Sequence, residues 1–379
     1  MKKVIEASMA VALATKFCNP GVIPMYPITP QTHIVERLAD LINDGELDAE
    51  MIHVESEHSA LSAAVGASAT GVRTFTATAS QGLALMHEIL FVASGMRLPI
   101  VMAIANRTLS APINIWNDHQ DSMSARDSGW IQIYVESAQE AFDTIIQTYK
   151  IAEDREILTP AMVCLDGYTL SHVYEPVELL TQQQVDSFLP KFKPLYKLDT
   201  EKPVTMGPVA FPDSFMEIKE GQQNAMLASL NTIKRVHDEF KSKFNRSYGD
   251  GLIEKYKMND AEYAVICMGT ICGTARTVID RLRNEGKKVG MIKLRTFRPF
   301  PIQGIINATK GLKGIAVLDR SISLGYKGPV YTEVRNTLCN NKTIINGFIV
   351  GLGGRDVTPS HIEKSLNDLN TNKKTQWLK

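Results

Sequence analysis

Glu57 opens a run of small residues, Glu57-His58-Ser59-Ala60-Leu61-Ser62-Ala63-Ala64-Val65-Gly66-Ala67-Ser68-Ala69, directly after Val54-Glu55-Ser56. A helix that is small on every face lets another backbone or a flat ligand approach closely, so this one is expected at a buried interface. A carboxylate at its mouth would be desolvated and, lacking a partner, harder to ionise. The plainer reading is that Glu57 only complements the helix dipole, and Glu55 competes with it for any chemical role. Arg107, in Asn106-Arg107-Thr108, follows an apolar strand-like run. Its planar guanidinium suits a two-pronged grip on a carboxylate, although most arginines after strands are simply solvated. Thr29, in Met25-Tyr26-Pro27-Ile28-Thr29-Pro30, reads as an N-cap with proline at the first helical position. A helix start at the end of a parallel strand is also a natural anion seat. Ser80, in Thr76-Ala77-Thr78-Ala79-Ser80-Gln81-Gly82, is a further N-cap candidate.

Other segments carry weaker signals. Asp118-His119-Gln120-Asp121 has no established metal-ligand spacing and reads as turn hydrogen bonding. Gly351-Leu352-Gly353-Gly354 resembles half of a phosphate loop, without a full G-x-G-x-x-G. Neither G-x-S-x-G nor H-E-x-x-H occurs. Cys18, Cys164, Cys267, Cys272 and Cys339 have no zinc or cluster spacing, so the chain is expected to hold no metal cluster and no disulfide framework.

The elements that must position these residues follow from periodicity. Strands are expected at Val22–Met25, Met51–Val54, Val72–Thr76, Pro99–Ile104, Trp130–Val135 and Ala161–Leu165. Helical stripes lie between them: Ile34, Val35, Leu38, Leu41 and Ile42, then Phe142, Ile145, Ile146 and Tyr149 behind a Ser137–Glu140 capping box. Strands separated by helices predict a parallel sheet with right-handed crossovers, and three βα junctions on one sheet edge predict a pocket there. Residues 181–212 hold Pro190, Pro194, Pro203, Pro208 and Pro212 and read as an extended tether. A charged helix is expected over 214–258, and βα alternation resumes at Ala264–Met268, Thr274–Asn284, Val289–Leu294, Ile315–Leu318 and Phe348–Val350.

At 379 residues, two or three domains are expected. With 44% hydrophobic and 22% charged residues the chain can bury a core, which argues against disorder. Lys+Arg and Asp+Glu both number 41, which argues against a nucleic-acid binder held by bulk charge. No apolar run reaches the ~18 residues of a membrane span. The start, MKKVIEASMAVALATKF, reads as an ordinary first helix rather than a signal peptide, so a soluble cytoplasmic protein is expected.

Taken together, Tyr26–Pro30, Ser56-Glu57, Thr76–Gly82, Ser110–Asp121, Leu294–Pro301 and Gly351–Asp356 resemble the α subunits of the 2-oxoacid:ferredoxin oxidoreductases, nearest to those acting on pyruvate. The resemblance spans nearly the whole chain. It implies two parallel-sheet α/β domains. Residues 1–240, including tether 181–212, would form a thiamine-diphosphate pyrimidine-binding domain, and 259–379 a transketolase C-terminal-like domain. It implies that Glu57 is the catalytic carboxylate on the aminopyrimidine ring, that Pro27 also meets the cofactor, and that Thr29 and Arg107 hold the 2-oxoacid carboxylate. The implied reaction is reversible oxidative decarboxylation of pyruvate to acetyl-CoA and CO2 with ferredoxin as acceptor and coenzyme A as co-substrate. The diphosphate–Mg2+ motif of thiamine enzymes, G-D-G followed by Asn, has only Leu165-Asp166-Gly167 as its nearest match, and the first asparagine after it is Asn224. Mg2+ and the [4Fe-4S] clusters are therefore expected from partners: a diphosphate-binding β subunit and ferredoxin-like γ and δ subunits. The alternatives are a 2-oxoisovalerate or other 2-oxoacid enzyme, or a non-catalytic scaffold.

Overall fold

The computed structural model describes residues 1–370 and 375–379. Its first unit runs β1 (Lys2–Glu6), α1 (Ala7–Phe17), β2 (Val22–Met25), α2 (Thr32–Asn43), β3 (Glu50–His53) and α3 (Glu57–Ala69). It continues with β4 (Phe75–Thr78), α4 (Ser80–Leu85), α5 (His87–Gly95), β5 (Val101–Asn106), α6 (Gln120–Ser124), β6 (Ile131–Val135) and α7 (Ala138–Ala152). Strands β7 (Ala161–Asp166) and β8 (Tyr174–Glu178) and helix α8 (Gln182–Phe188) complete it. After a tether, helix α9 (Phe215–Phe244) leads to β9 (Ile253–Tyr256), β10 (Tyr263–Cys267), α10 (Ile271–Asn284), β11 (Val289–Leu294) and β12 (Thr296–Arg298). The chain ends through α11 (Ile302–Ala308), β13 (Gly314–Asp319), α12 (Pro329–Thr337), β14 (Ile344–Ile349), α13 (Pro359–Asn367) and β15 (Thr375–Trp377).

Two parallel sheets dominate. The first has the order β12-β6-β7-β5-β4, and the parallel pair β2-β3 continues it through a Val22–Thr74 bridge. Strands β5 and β7 are buried along their whole length, as strands covered on both faces must be, and their Val, Ile and Leu content follows from that burial. The second sheet has the order β15-β14-β13-β10-β11-β9, with only β9 antiparallel. Helix α7 is buried nearly all round because it packs between the first sheet, α1 and α9, with Phe142, Ile145, Ile146 and Tyr149 fully buried. Ser137 caps it by accepting from Glu140 N at 3.2 Å, and Glu140 Oε2 accepts from Glu136 N at 2.9 Å.

The structure departs from the sequence reading at several places. Lys2–Glu6 is a strand paired antiparallel with β8, so the first helix starts only at Ala7. The strand expected at Val72–Thr76 lies two to three residues later. The tether is not extended from Thr181. Thr181 and Gln184 form a capping box that starts α8, and the irregular path begins at Leu189. Helix α9 stops at Phe244 because Asn245 turns left-handed at φ 54°, and Ile253–Tyr256 is strand. Thr296–Arg298 leaves the second unit and pairs antiparallel with β6 of the first sheet. No helix of the described residues is long and apolar enough to cross a membrane.

Candidate active site

The ends of β2, β3, β4 and β5 share one sheet edge because these strands run parallel. Each is followed by a tight turn into its helix or loop, and those turns carry the expected residues. Ser56 caps α3 by accepting from Ser59 N at 3.2 Å, which makes Glu57 the first helical residue. Glu57 is only 7% exposed, and no described residue hydrogen-bonds its carboxylate. It lies over Gly82: a Cβ there would sit 2.7 Å from Glu57 Oε1 and collide with Thr78 Oγ1. The Thr78 hydroxyl is fully buried and has no hydrogen-bond partner. A carboxylate and a buried hydroxyl, neither hydrogen-bonded by a described residue, therefore converge where a side chain is missing, an arrangement that suits an outside partner. Glu55, by contrast, is exposed and accepts from the Ser59 hydroxyl.

Arg107 follows β5 directly and is 7% exposed. Its Nη1 donates to the Thr29 carbonyl at 2.9 Å and its Nε to the Asn114 carbonyl at 3.1 Å. No carboxylate of the described residues pairs with it, although a buried guanidinium ordinarily has one. Thr29 and Arg107 are thus in direct contact, with Thr29 and Pro27 exposed on the same turn. Glu57, at the start of α3, packs instead against Gly82 in the first turn of α4, just after the β4–α4 turn. That turn is linked to the Thr29 turn through Gln31, whose Nε2 donates to Ala77 O at 3.0 Å.

Two capping expectations fail. Thr29 does not cap α2: the Thr29–Pro30 bond is cis, Gln31 N closes a turn onto Ile28 O, and α2 begins at Thr32. Ser80 is not an N-cap but the first residue of α4, in left-handed backbone at φ 49°, with its hydroxyl on the Thr108 carbonyl. The glycines at 351–354 seat a loop rather than forming a phosphate cradle. Gly354 N donates to Asn117 O at 2.7 Å, Asn114 Nδ2 donates to Gly353 O at 3.1 Å, and a Cβ on Gly354 would strike Trp116. Between this seat and the Thr108–Asn114 loop lies a cavity of about 660 Å³, also lined by Arg126, Ile322 and Trp377.

Asp166, of the nearest diphosphate-motif match, is wholly engaged. It takes His119 Nε2 at 2.6 Å, Arg320 Nη1 at 2.8 Å, Thr270 N at 3.0 Å and the Thr270 hydroxyl. Burial pushes its carboxyl up, but Arg320 and His119 hold it well below the usual carboxylate range. Sequence reasoning missed Thr78, Asn114 and Asp121. All three lie inside quoted motifs. Asp121 was read as a turn residue, because nothing in Asn117-Asp118-His119-Gln120-Asp121 announces burial.

Known proteins resemble this chain along nearly its full length. The family described as pyruvate flavodoxin/ferredoxin oxidoreductase, thiamine diphosphate-binding, matches residues 13–238, and pyruvate:ferredoxin oxidoreductase core domain II matches 261–362. Pyruvate synthase subunit PorA of Methanothermobacter thermautotrophicus is 52% identical over 99% of this chain and 97% of its own length. PorA of Methanocaldococcus jannaschii is 54% identical over 96% and 94%. Ketoisovalerate oxidoreductase subunit VorA of Pyrococcus abyssi is 45% identical over 97% and 93%. Among solved structures, a 2-oxoglutarate:ferredoxin oxidoreductase from Magnetococcus marinus superposes with a TM-score of 0.74 at 18% identity, over 97% of this chain and 65% of that one. A split-gene transketolase superposes at 0.57 and 11% identity, over 98% and 100%. These two share the fold.

Proposed function

The chain belongs to the pyruvate:ferredoxin oxidoreductase family, and from that premise we propose that it is the pyrimidine-binding subunit of a multi-subunit pyruvate synthase. The reaction is oxidative decarboxylation of pyruvate to acetyl-CoA and CO2 with ferredoxin as acceptor. One observation carries the residue assignment: Glu57, 7% exposed and hydrogen-bonded by no described residue, packs together with the buried, unpartnered Thr78 hydroxyl against Gly82.

An aminopyrimidine ring, flat and rich in hydrogen-bonding nitrogens, would suit such a carboxylate and hydroxyl. Glu57 and Thr78 would hold the ring, and Gly82 leaves the room that their two side chains occupy. Thiamine diphosphate, when bound, supplies the carbon nucleophile that adds to the keto carbon and the electron sink for loss of CO2. Glu57 would hold the proton that it shares with the ring nitrogen. Arg107 binds the 2-oxoacid carboxylate with the charge that no carboxylate of its own chain neutralises, and the neighbouring Thr29 supports it. Pro27 borders the cofactor from the same turn.

Asp166 is buried and hydrogen-bonded by His119, Arg320 and Thr270, so its carboxylate serves its own chain rather than a metal-bridged diphosphate. We assign Mg2+ to a diphosphate-binding β subunit and the [4Fe-4S] clusters to ferredoxin-like γ and δ subunits, in a cytoplasmic complex. The chain alone should then be colourless and should not reduce a viologen dye with pyruvate. Robust turnover by the purified chain refutes this division of labour. VorA, at 45% identity, favours 2-oxoisovalerate as the second reading. Turnover of pyruvate, 2-oxoisovalerate and 2-oxoglutarate by the assembled complex decides between the substrates.

A further inference from the structure

We propose that Asp121 is a positioning residue: its buried carboxylate locks the backbone of Arg107 to the β4–α4 turn and so fixes the substrate-binding guanidinium relative to the Glu57 site. The inference rests on the reading of Arg107 as the 2-oxoacid carboxylate binder.

Asp121 is 1% exposed, and no cation pairs with it. Its partners are four neutral donors. Oδ2 accepts from Ser80 N and from Arg107 N, each at 2.9 Å. Oδ1 accepts from Asn106 Nδ2 and from Ser122 N, each at 2.7 Å. One oxygen therefore joins two main-chain groups that lie 27 residues apart in sequence and on different strands' turns. Ser80 is bound a second time, through its hydroxyl on the Thr108 carbonyl, so the two turns are tied on both sides of Arg107. Thr78 and Gly82 flank Ser80, which carries the tie directly to the residues against which Glu57 packs.

Two features argue for a carboxylate with this task rather than an ordinary buried turn. All four partners donate, and an asparagine would turn its own amide donors against two of them. The charge is also aimed at backbone. A carboxylate on the Arg107 guanidinium would cancel the cation that the substrate needs. A carboxylate on the Arg107 N–H offsets part of the burial cost of that cation while leaving its face free.

The test compares Asp121→Asn, Ser80→Gly, Arg107→Lys and the wild type in the assembled complex. It follows KM and kcat for pyruvate with a viologen acceptor, and C2-proton exchange of bound thiamine by NMR. Asp121→Asn should raise KM at least ~10-fold, with kcat lowered less than ~3-fold and proton exchange near wild type, as for a loss of substrate capture. Ser80→Gly suits the left-handed backbone but removes the second tie, and should raise KM about 2–5-fold. If Asp121→Asn does not assemble, Ser80→Gly decides, and an unchanged KM there overturns the proposal. KM within twofold of wild type in Asp121→Asn, while Arg107→Lys raises it, also overturns the proposal and leaves the role of Arg107 intact. Slowed proton exchange in Asp121→Asn overturns it too, because the tie would then serve the cofactor side. If Arg107→Lys itself leaves KM unchanged, the reading of Arg107 fails and the inference falls with it.

Discussion

Polar groups are buried in two regions of this molecule, and they are treated in opposite ways. At the seam between the two units every charge has partners. Glu140, fully buried on α7, takes Lys293 Nζ at 2.6 Å and Arg295 Nε at 2.9 Å from β11 and the residue after it. Arg295 is completed by Gly251 O and Thr144 Oγ1. Asp166 is likewise saturated by His119, Arg320 and Thr270. At the sheet edge Thr78 is fully buried and Glu57 and Arg107 are each 7% exposed, yet no described residue hydrogen-bonds the Glu57 carboxylate or the Thr78 hydroxyl, and no described carboxylate pairs with Arg107. Burying an unpaired polar group costs about 1–3 kcal/mol, and more for a charge. A fold that pairs the buried charges of its seam and leaves the charges of this edge unpaired has kept the edge for something outside the chain.

The largest effect that tests this contrast belongs to the seam. Glu140→Gln leaves Lys293 and Arg295 buried against a neutral amide. The isolated chain should lose about 3–5 kcal/mol in urea denaturation, the cost of breaking a buried pair from one side. Acid titration adds a sign. Burial raises the Asp166 pKa, but Arg320 and His119 lower it further, so the folded value lies below the unfolded one. The stability Asp166 contributes is therefore complete above the unfolded pKa of about 3.9 and is lost as pH falls through the folded value. Asp166→Asn should be less stable at neutral pH and should show a shallower acid limb. If neither variant is destabilised, the seam is not what holds the units together.

Next in size is the open edge. Glu57→Gln keeps the volume but removes the acidic group, and kcat of the assembled complex should fall at least ~100-fold with pyruvate binding little changed. Its denaturation midpoint should stay near that of the wild type, since no described residue loses a hydrogen bond. A large stability loss would place Glu57 among the seam residues instead. Proton exchange at C2 of bound thiamine should be slow in this variant.

The sequence made some of this legible and hid the rest for physical reasons. Strands β5, β6 and β7 show because burial on both faces forces apolar, β-branched runs. Strand β1 does not show, because it pairs only with β8 and three of its residues are exposed, leaving Lys2 and Lys3 in place. Strand β12 is three residues long and pairs with a strand more than 150 residues earlier, which no local window registers. Helix α8 is polar on its outer turn and sits among prolines, so only the Thr181–Gln184 box betrays it. At the site, residue types at strand ends pointed to Glu57, Thr29 and Arg107. Asp121 could not be found this way, because its meaning lies in which distant N–H groups it meets.

Arg107→Lys has a smaller expected effect. It keeps a charge but loses the planar fork, and so cannot hold Thr29 O and Asn114 O while also meeting a substrate. A loss of about 1.5–3 kcal/mol in kcat/KM, mostly as raised KM, is the scale of one charge-assisted hydrogen bond. Proton exchange in this variant should be near normal, unlike that of Glu57→Gln. If exchange slows as much, Arg107 belongs to the cofactor and not to the substrate.

The smallest expected effect sharpens the comparison most. Glu55 stands two residues before Glu57 and from sequence alone was its rival. The structure separates the two by exposure. Glu55 lies in solvent, where the Ser59 hydroxyl and a backbone N–H lower its pKa, whereas Glu57 is buried over Gly82. A carboxylate already hydrogen-bonded and surrounded by water has little to gain from an incoming ring, and little to lose when its charge is removed. Glu55→Gln should therefore change kcat by less than ~2-fold, within the range of ordinary surface substitutions. Measured beside Glu57→Gln under the same conditions, it removes the same charge about one helical turn's start away. If Glu55→Gln instead carries the large loss and Glu57→Gln the small one, burial without a partner is not what marks the catalytic group in this fold, and the two carboxylates exchange roles.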